Sequence, residues 1–365
     1  MSVEKKIIVD KISSLTNTMV GINDFKLKLS EFISTKNIDK FIYELDHYCT
    51  AQTTKNNFTE NSTVGEVVEH YIGVLNENNI KRKYYQTVNM PQMALTGLSE
   101  SWLFKELGDC HWRMLCENIG LRSNEIVDEF GARLYASFIR IRFENTASLM
   151  QYDENDLLDV TGRITRIGNS LYYGQVNMEC GDKIIRGALA TTFTARECGD
   201  DNSKLTKGVP STTSSSAIVT VSDMPDLVLD HVKLRKNKIN IITLLDYEFK
   251  LSDKSLFEYQ YSLNPYFDIN GVGLLYFAAY PIINDYCELK YFNDNATAGK
   301  NWAMTCSTVA RDVFYFANCN IDDVIVYRLN DFCEINDNIY IQSTLLRKSD
   351  DKIIAKIFTI KKIVR

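Results

Sequence analysis

The chain has 365 residues, of which 45% are hydrophobic and 24% charged, and its formal net charge is −6. That length admits two or three domains around a large core, and the composition excludes a disordered or collagen-like chain. No Lys/Arg run interleaved with aromatics occurs, so nucleic acid is not an expected partner, and no stretch reaches the ~18 apolar residues a membrane helix needs.

Residues 1–78 read as a small helical domain, because the apolar positions of VEKKIIVDKISSL, IDKFIYELDHY and TVGEVVEHYIGVL recur at helical spacing. The first of these segments lacks the uninterrupted apolar core of a signal peptide, which predicts a cytoplasmic protein. Residues 84–195 change to β-branched and aromatic alternation. Residues 196–252 read as linker and insertion, opened by the Ser/Thr/Gly-rich stretch at 198–216, and residues 253–365 return to helix and strand patterning. The nine cysteines include no Cys-x-x-Cys pair, and the four histidines have no metal-ligand spacing. Reduced thiols and no protein-ligated metal are therefore expected.

Laid on itself, the chain repeats. YYQTVNMPQMALTGLSESWLFKEL in the first half matches YQYSLNPYFDINGVGLLYFAAY in the second, with Pro91 and Gly97 spaced like Pro265 and Gly271. Farther on, GDKIIRGA matches DDKIIAKI, as a hairpin turn with its flanking strands would. Each half therefore predicts a strand, a Gly-marked helix and four antiparallel strands. A helix wrapped by such a sheet is the hot-dog architecture. The expected class is α+β, a double hot-dog of two antiparallel sheets that each wrap a central helix, with active sites between the copies.

NPYFDINGVGLLYF resembles the Asp-x-x-Gly motif of hot-dog thioesterases, in which the acid precedes the central helix. On that reading Gly271 lets the backbone approach a ligand, and the helix starting there aims Asn270 and free N–H groups at a thioester carbonyl. Asp268 is then a base or orients water. The same residues also suit a turn and a helix cap. The first-half position matching Asp268 is Ala94, so one acid of this kind is expected. Gly97 with Glu100 in the following turn is the corresponding feature of the first half, and Glu100 suits either catalysis or capping. His111, placed at the end of the central helix, reads as a general acid/base or as a C-terminal cap.

MPQMALTGLSESWLFKELGDCHW, GARLYASFIRIRF, NGVGLLYFAAYP and RDVFYFANCNIDD together resemble the double hot-dog family of leinamycin-type bifunctional acyltransferase/decarboxylases, over about residues 84–365. The resemblance implies that Tyr135 carries or positions an acyl group. Strand alternation puts Arg133 and Ser137 on the face of Tyr135 and Arg140 and Arg142 on the other. Arg133 there suits a malonyl carboxylate or a phosphate, or simply a solvated surface.

The N-terminal segment resembles an acyl carrier protein that has lost its attachment site: Ser34-Thr35-Lys36 stands where carriers have Asp-Ser-Leu. The resemblances imply an acyltransferase/decarboxylase of secondary-metabolite assembly acting on a malonyl-type thioester. The alternatives are a dehydratase or thioesterase using Asp268, and a non-catalytic carrier-docking protein. The expected partner and substrate is coenzyme A or a carrier bearing a phosphopantetheine-linked acyl group, with no cofactor held by the chain itself and a monomer or homodimer as the assembly.

Overall fold

The computed structural model describes residues 82–197, 201–211, 219–221, 224–295 and 302–363. The carrier-like segment, with Ser34 and Thr35, lies outside the described residues. The first half runs β1 (Arg82–Thr87), α1 (Glu100–Ile119), β2 (Tyr135–Asn145), β3 (Leu157–Ile167), β4 (Leu171–Cys180) and β5 (Lys183–Arg196). The insertion supplies β6 (Leu205–Gly208), α2 (Asp226–Arg235) and the hairpin β7 (Ile241–Leu244)–β8 (Tyr247–Lys250). The second half repeats the first: β9 (Phe257–Ser262), α3 (Ala279–Asp294), β10 (Cys306–Tyr315), β11 (Val324–Ile335), β12 (Asn338–Arg347) and β13 (Lys352–Ile363).

Ten of these strands form the main path of one antiparallel sheet in the order β1-β3-β4-β5-β2-β10-β13-β12-β11-β9, and β6 pairs with the end of β5 beside it. The expected two sheets are thus joined. β2 and β10, each the inner edge of its half, pair from Arg140–Phe314 to Glu144–Ala310 and so satisfy each other's backbone groups. The order reads the same from either end, a pseudo-twofold centred on the seam. Each inner strand carries a bulge at a matching place, Ile139 in β2 and Val309 in β10. The matched hairpins turn where expected, between Cys180 and Lys183 and between Arg347 and Lys352.

Local chemistry explains α1. Ser99 caps it, with its hydroxyl accepting from the Trp102 N–H at 3.3 Å, and Glu100 adds an acid to the first turn. Gly120, left-handed at φ 74°, ends it. Leu103, Phe104, Leu107, Cys110, Met114 and Leu115 recur at i, i+3 and i+4 and are buried. They pack α1 against β3, β4 and β5, while α3 lies against β9 and β11 and touches α1. β4 shows the matching period of two, with Tyr172, Val176 and Met178 inward. Gly174 completes that row because a Cβ there would come 2.1 Å from Nδ1 of His111.

The insertion covers the other face of the seam. Leu234, Ile242, Leu244 and Phe249 form a second core with Ala310, Phe314, Phe358 and Ile360. Beneath α2, Asp312 takes Arg140 through Nε at 2.9 Å and Nη2 at 2.6 Å, and takes Arg142 as well. The bulge at Ile139 corrects the expected alternation. Ala136 and Phe138 before it, and Ile141 and Phe143 after it, all face the helices. Arg140 and Arg142 therefore share the face of Tyr135 and Ser137 rather than opposing it.

Candidate functional site

The helices meet the neighbouring half at two junctions related by the pseudo-twofold. Strand pairing sets the correspondence: Phe138 faces Thr191 across β2–β5 as Thr308 faces Lys361 across β10–β13. His111 of α1 bonds Thr191 (Nε2 to Oγ1, 2.9 Å) as Glu288 of α3 bonds Lys361. Phe277, just before α3, packs its ring where a Cβ on Gly108 of α1 would stand. Its counterpart Glu100, opening α1, shares Arg311 with Asp285 of α3, the residue matching Gly108.

The junction at Glu100 is charged. Arg311 on β10, fully buried, places Nη2 at 3.2 Å from Glu100 Oε2 and at 2.8 and 3.0 Å from the Asp285 oxygens. Its Nε is also 2.5 Å from Glu100 Oε1, off the hydrogen-bonding direction. Thr308 donates its hydroxyl to Glu100 Oε2 at 2.8 Å. Lys361 donates to Asp285 at 3.1 Å and to Glu288, and the Trp302 indole N–H reaches Glu288 at 2.9 Å.

Burial raises the Glu100 carboxyl to about 7; Arg311 opposes the rise and Asp285 adds to it. Asp285 goes the other way. Burial alone would lift it, yet Arg311 and Lys361 together hold it below the ordinary carboxylate range. Two neighbouring acids are thus pushed apart in proton affinity, which suits one of them to proton transfer near neutral pH. The cluster is not sealed, since the Asp285 side chain is 35% exposed.

At the other junction Phe277 and Phe138 stand with ring centroids 4.4 Å apart. His111 lies mid-helix rather than at the end of α1, where Gly120 does the capping. Burial lowers its pKa to about 3, which keeps the imidazole neutral. Gly174 packs on Nδ1, leaving that nitrogen without a hydrogen bond.

The other expected residues are scattered. The helix does not begin at Gly271; α3 starts eight residues later at Ala279, and Gly271 is exposed with open space where a Cβ would stand. Asp268 is buried, accepting from the Asn264 N–H at 2.6 Å and the Tyr261 hydroxyl at 3.0 Å. Its carbonyl takes the Tyr276 N–H as the Gln92 carbonyl takes that of Ser99. The first-half counterpart of Asp268 is therefore Gln92, whose side chain likewise accepts from the Asn89 N–H, and not Ala94.

Asn270 Oδ1 is occupied by the Val272 and Leu274 N–H groups. Gly97, at φ 93°, does permit a close approach, but by the chain itself: a Cβ there would be 2.3 Å from the Leu149 carbonyl oxygen. The Tyr135 hydroxyl accepts from Arg196 at 3.3 Å, and Arg133 is exposed, with its guanidinium 5.3 Å from the Tyr135 ring centroid. Of the expected residues, only Glu100 enters the charged cluster. Thr308, Arg311, Asp285, Glu288 and Lys361 were missed. Their one sequence signal is the acid pair Asp285 and Glu288 at i, i+3, interrupting the apolar stripe of α3 beside buried Ile283 and Cys287.

Among the described residues no helix is long and apolar enough to cross a membrane, and no group of His, Cys, Asp and Glu is arranged to hold a metal ion. No family model and no curated protein matches the chain. Among solved structures it is similar to one described as an oleoyl thioesterase from Lactobacillus plantarum. The two are 12% identical with a TM-score of 0.52, over 78% of this chain and 96% of that one. It is also similar to an acyl-ACP thioesterase from Bacteroides thetaiotaomicron, 12% identical with a TM-score of 0.50, over 78% of this chain and 99% of that one. At such identity the likeness is one of fold, and the fold is the double hot-dog.

Proposed function

We propose that the protein hydrolyses acyl thioesters of coenzyme A or of a carrier's phosphopantetheine arm, at the charged junction, with Glu100 as general base. The observation that carries this reading is a carboxylate with a pKa of about 7 in the first turn of α1, bonded by a threonine hydroxyl from the other half. Near neutral pH such a group both takes and returns a proton.

In the proposed reaction the thioester carbonyl lies over the start of α1. Glu100 takes one proton from a water whose oxygen bonds to the acyl carbon. The Trp102 N–H is held by Ser99, so the Glu100 and Ser101 N–H groups at the start of α1, with the positive end of the helix, stabilise the oxyanion. The C–S bond then breaks, Glu100 returns its proton to the leaving thiolate, and the acid and thiol depart. Thr308 and Arg311 hold the Glu100 carboxylate in place, and Asp285, kept ionised by Arg311 and Lys361, adds the charge that lifts the proton affinity of Glu100.

Acyl transfer to Tyr135 with decarboxylation of a malonyl group has less to rest on. The phenol's hydrogen bond is to the Arg196 guanidinium, a donor that cannot take its proton. The fold shared with two thioesterases favours hydrolysis as well.

The test is thiol release from a panel of acyl-CoA and acyl-carrier thioesters, with the free acid identified by mass spectrometry. Glu100→Gln should lose about 10²–10⁴-fold in rate. Wild-type kcat/KM should fall tenfold per pH unit below about pH 7, because the basic form is the active one. Tyr135→Phe should stay within a few-fold. Turnover that survives in Glu100→Gln, or carbon dioxide release in place of free acid, would remove the reading.

A further inference from the structure

The aromatic junction opens into a cleft of about 430 Å³, within the roughly 300–1,000 Å³ range of small-molecule sites. We propose that this cleft is a second, non-catalytic site that binds an amphipathic anion, an apolar stem carrying a phosphate or carboxylate.

Its floor is apolar: Phe138 from β2, Leu274, Leu275 and Phe277 from the loop before α3, and Tyr280 from α3. Its polar rim carries Lys207, Arg235, Arg347 and Lys352, and no Asp or Glu lines it. Arg347 is already neutralised, holding Asp350 through Nε and Nη2 and the Asn318 carbonyl through Nη1. Lys207, Arg235 and Lys352 form no ion pair among the described residues. Three cations without an ion-pair partner among the described residues thus line one opening, Asp350 lying near only Lys352, in a chain whose net charge is −6. That local excess runs against the charge of the whole, and anions are what it attracts.

The walls are set before any ligand arrives. Asn202 is 4% exposed and donates to the Gly273 and Cys319 carbonyls, while Asn318 holds both the N–H and the carbonyl of Leu275. These bonds tie the loop before α3 to the insertion and to the segment that follows β10. Little ordering remains for a ligand to impose.

The groups of the charged junction have no ionisable counterpart lining this cleft, and the histidine that does line it, His231, is 5% exposed with its Nε2 on the Tyr315 carbonyl. The positions matching Glu100, Thr308, Glu288 and Lys361 are Phe277, Phe138, His111 and Thr191. Of these only His111 titrates near neutrality in water, and it is fully buried and does not line the cleft. The site binds where its twin reacts, and it stands whether or not Glu100 hydrolyses anything.

The test is calorimetric titration of the full-length Glu100→Gln protein with coenzyme A, decanoate and decanol. Coenzyme A or decanoate should bind with an affinity that falls as salt rises, and decanol at least tenfold more weakly. The head group preferred between the first two identifies a phosphate or a carboxylate. Reversing the rim with K207E, R235E and K352E should weaken anion binding by about tenfold or more; K352E alone serves should the triple variant not fold. With Glu100 intact, the same reversal should leave thioester turnover within a few-fold.

No binding, binding indifferent to the rim charges, or equal binding of decanol would overturn the site. A matching rise in KM on rim reversal would overturn its independence, because the cleft would then be the substrate's entrance. Loss of hydrolysis in Glu100→Gln bears on the other junction only.

Discussion

The two junctions share one backbone plan and are filled with opposite materials. At one, the tilted rings of Phe277 and Phe138 meet, with Phe277 over Gly108; at the other, Glu100 and Thr308 meet Asp285, Arg311 and Lys361. A symmetric pair of identical chains could not do this, because every substitution would appear at both places. Carrying both copies on one chain frees each junction to change alone. One has taken on desolvated charge, which is costly to bury and useful for chemistry. The other has taken rings, which cost nothing to bury.

The comparison breaks first at Arg311 and at Ile141, its counterpart in β2. Removing one partner from a buried charge network typically costs about 3–5 kcal/mol, whereas a volume-conserving apolar swap costs under about 1.5 kcal/mol. In urea denaturation Arg311→Met should therefore lose far more stability than Ile141→Met. Equal losses would mean that water already screens the charged junction.

A second measurement sharpens the role of Glu100. Its folded pKa is raised to about 7, so the folded chain holds this proton more tightly than the unfolded chain does. The stability it contributes is full below its unfolded value and is lost as pH rises through about 7. Gln cannot ionise, so Glu100→Gln should gain in stability relative to wild type across that interval, followed by thermal melting from pH 5 to pH 8. A relative loss instead would mark Glu100 as a structural ion-pair partner.

The smallest effect is expected at Asp268. Asp268→Asn should cost about 1–2 kcal/mol, from weakened bonds to the Asn264 N–H and the Tyr261 hydroxyl. Thioester turnover should stay within a few-fold of wild type. A large rate loss in a normally folded variant would return the chemistry to the second half's loop.

The order of elements was legible because period-two strands, a 3.6-period helix and a hairpin turn recur in the same order in both halves. Register was not. The Pro–Gly spacing suggested Ala94 opposite Asp268, but the loop before α3 is longer than its counterpart, and hydrogen bonding pairs Asp268 with Gln92. Alternation along β2 failed past Ile139, where one bulged residue reverses which side chains face the helices. Arg311 and Lys361 were invisible as site residues because a cation in a strand usually marks a solvated face. What buries these two is α3 and its carboxylates, and Asp285 and Glu288 signal that only once α3 is laid against β10 and β13. Glu100 was legible because its place in the first turn after a glycine is local.

The seam between β2 and β10 also bears on dilution. In a two-chain hot-dog the pairing of inner edges is second order, and it weakens as the concentration of subunits falls. Here the edges belong to one chain, so closing the sheet is first order and the local concentration of one edge around the other is set by the intervening segment. The charged and aromatic junctions alike accordingly stay assembled at concentrations where two separate copies would part.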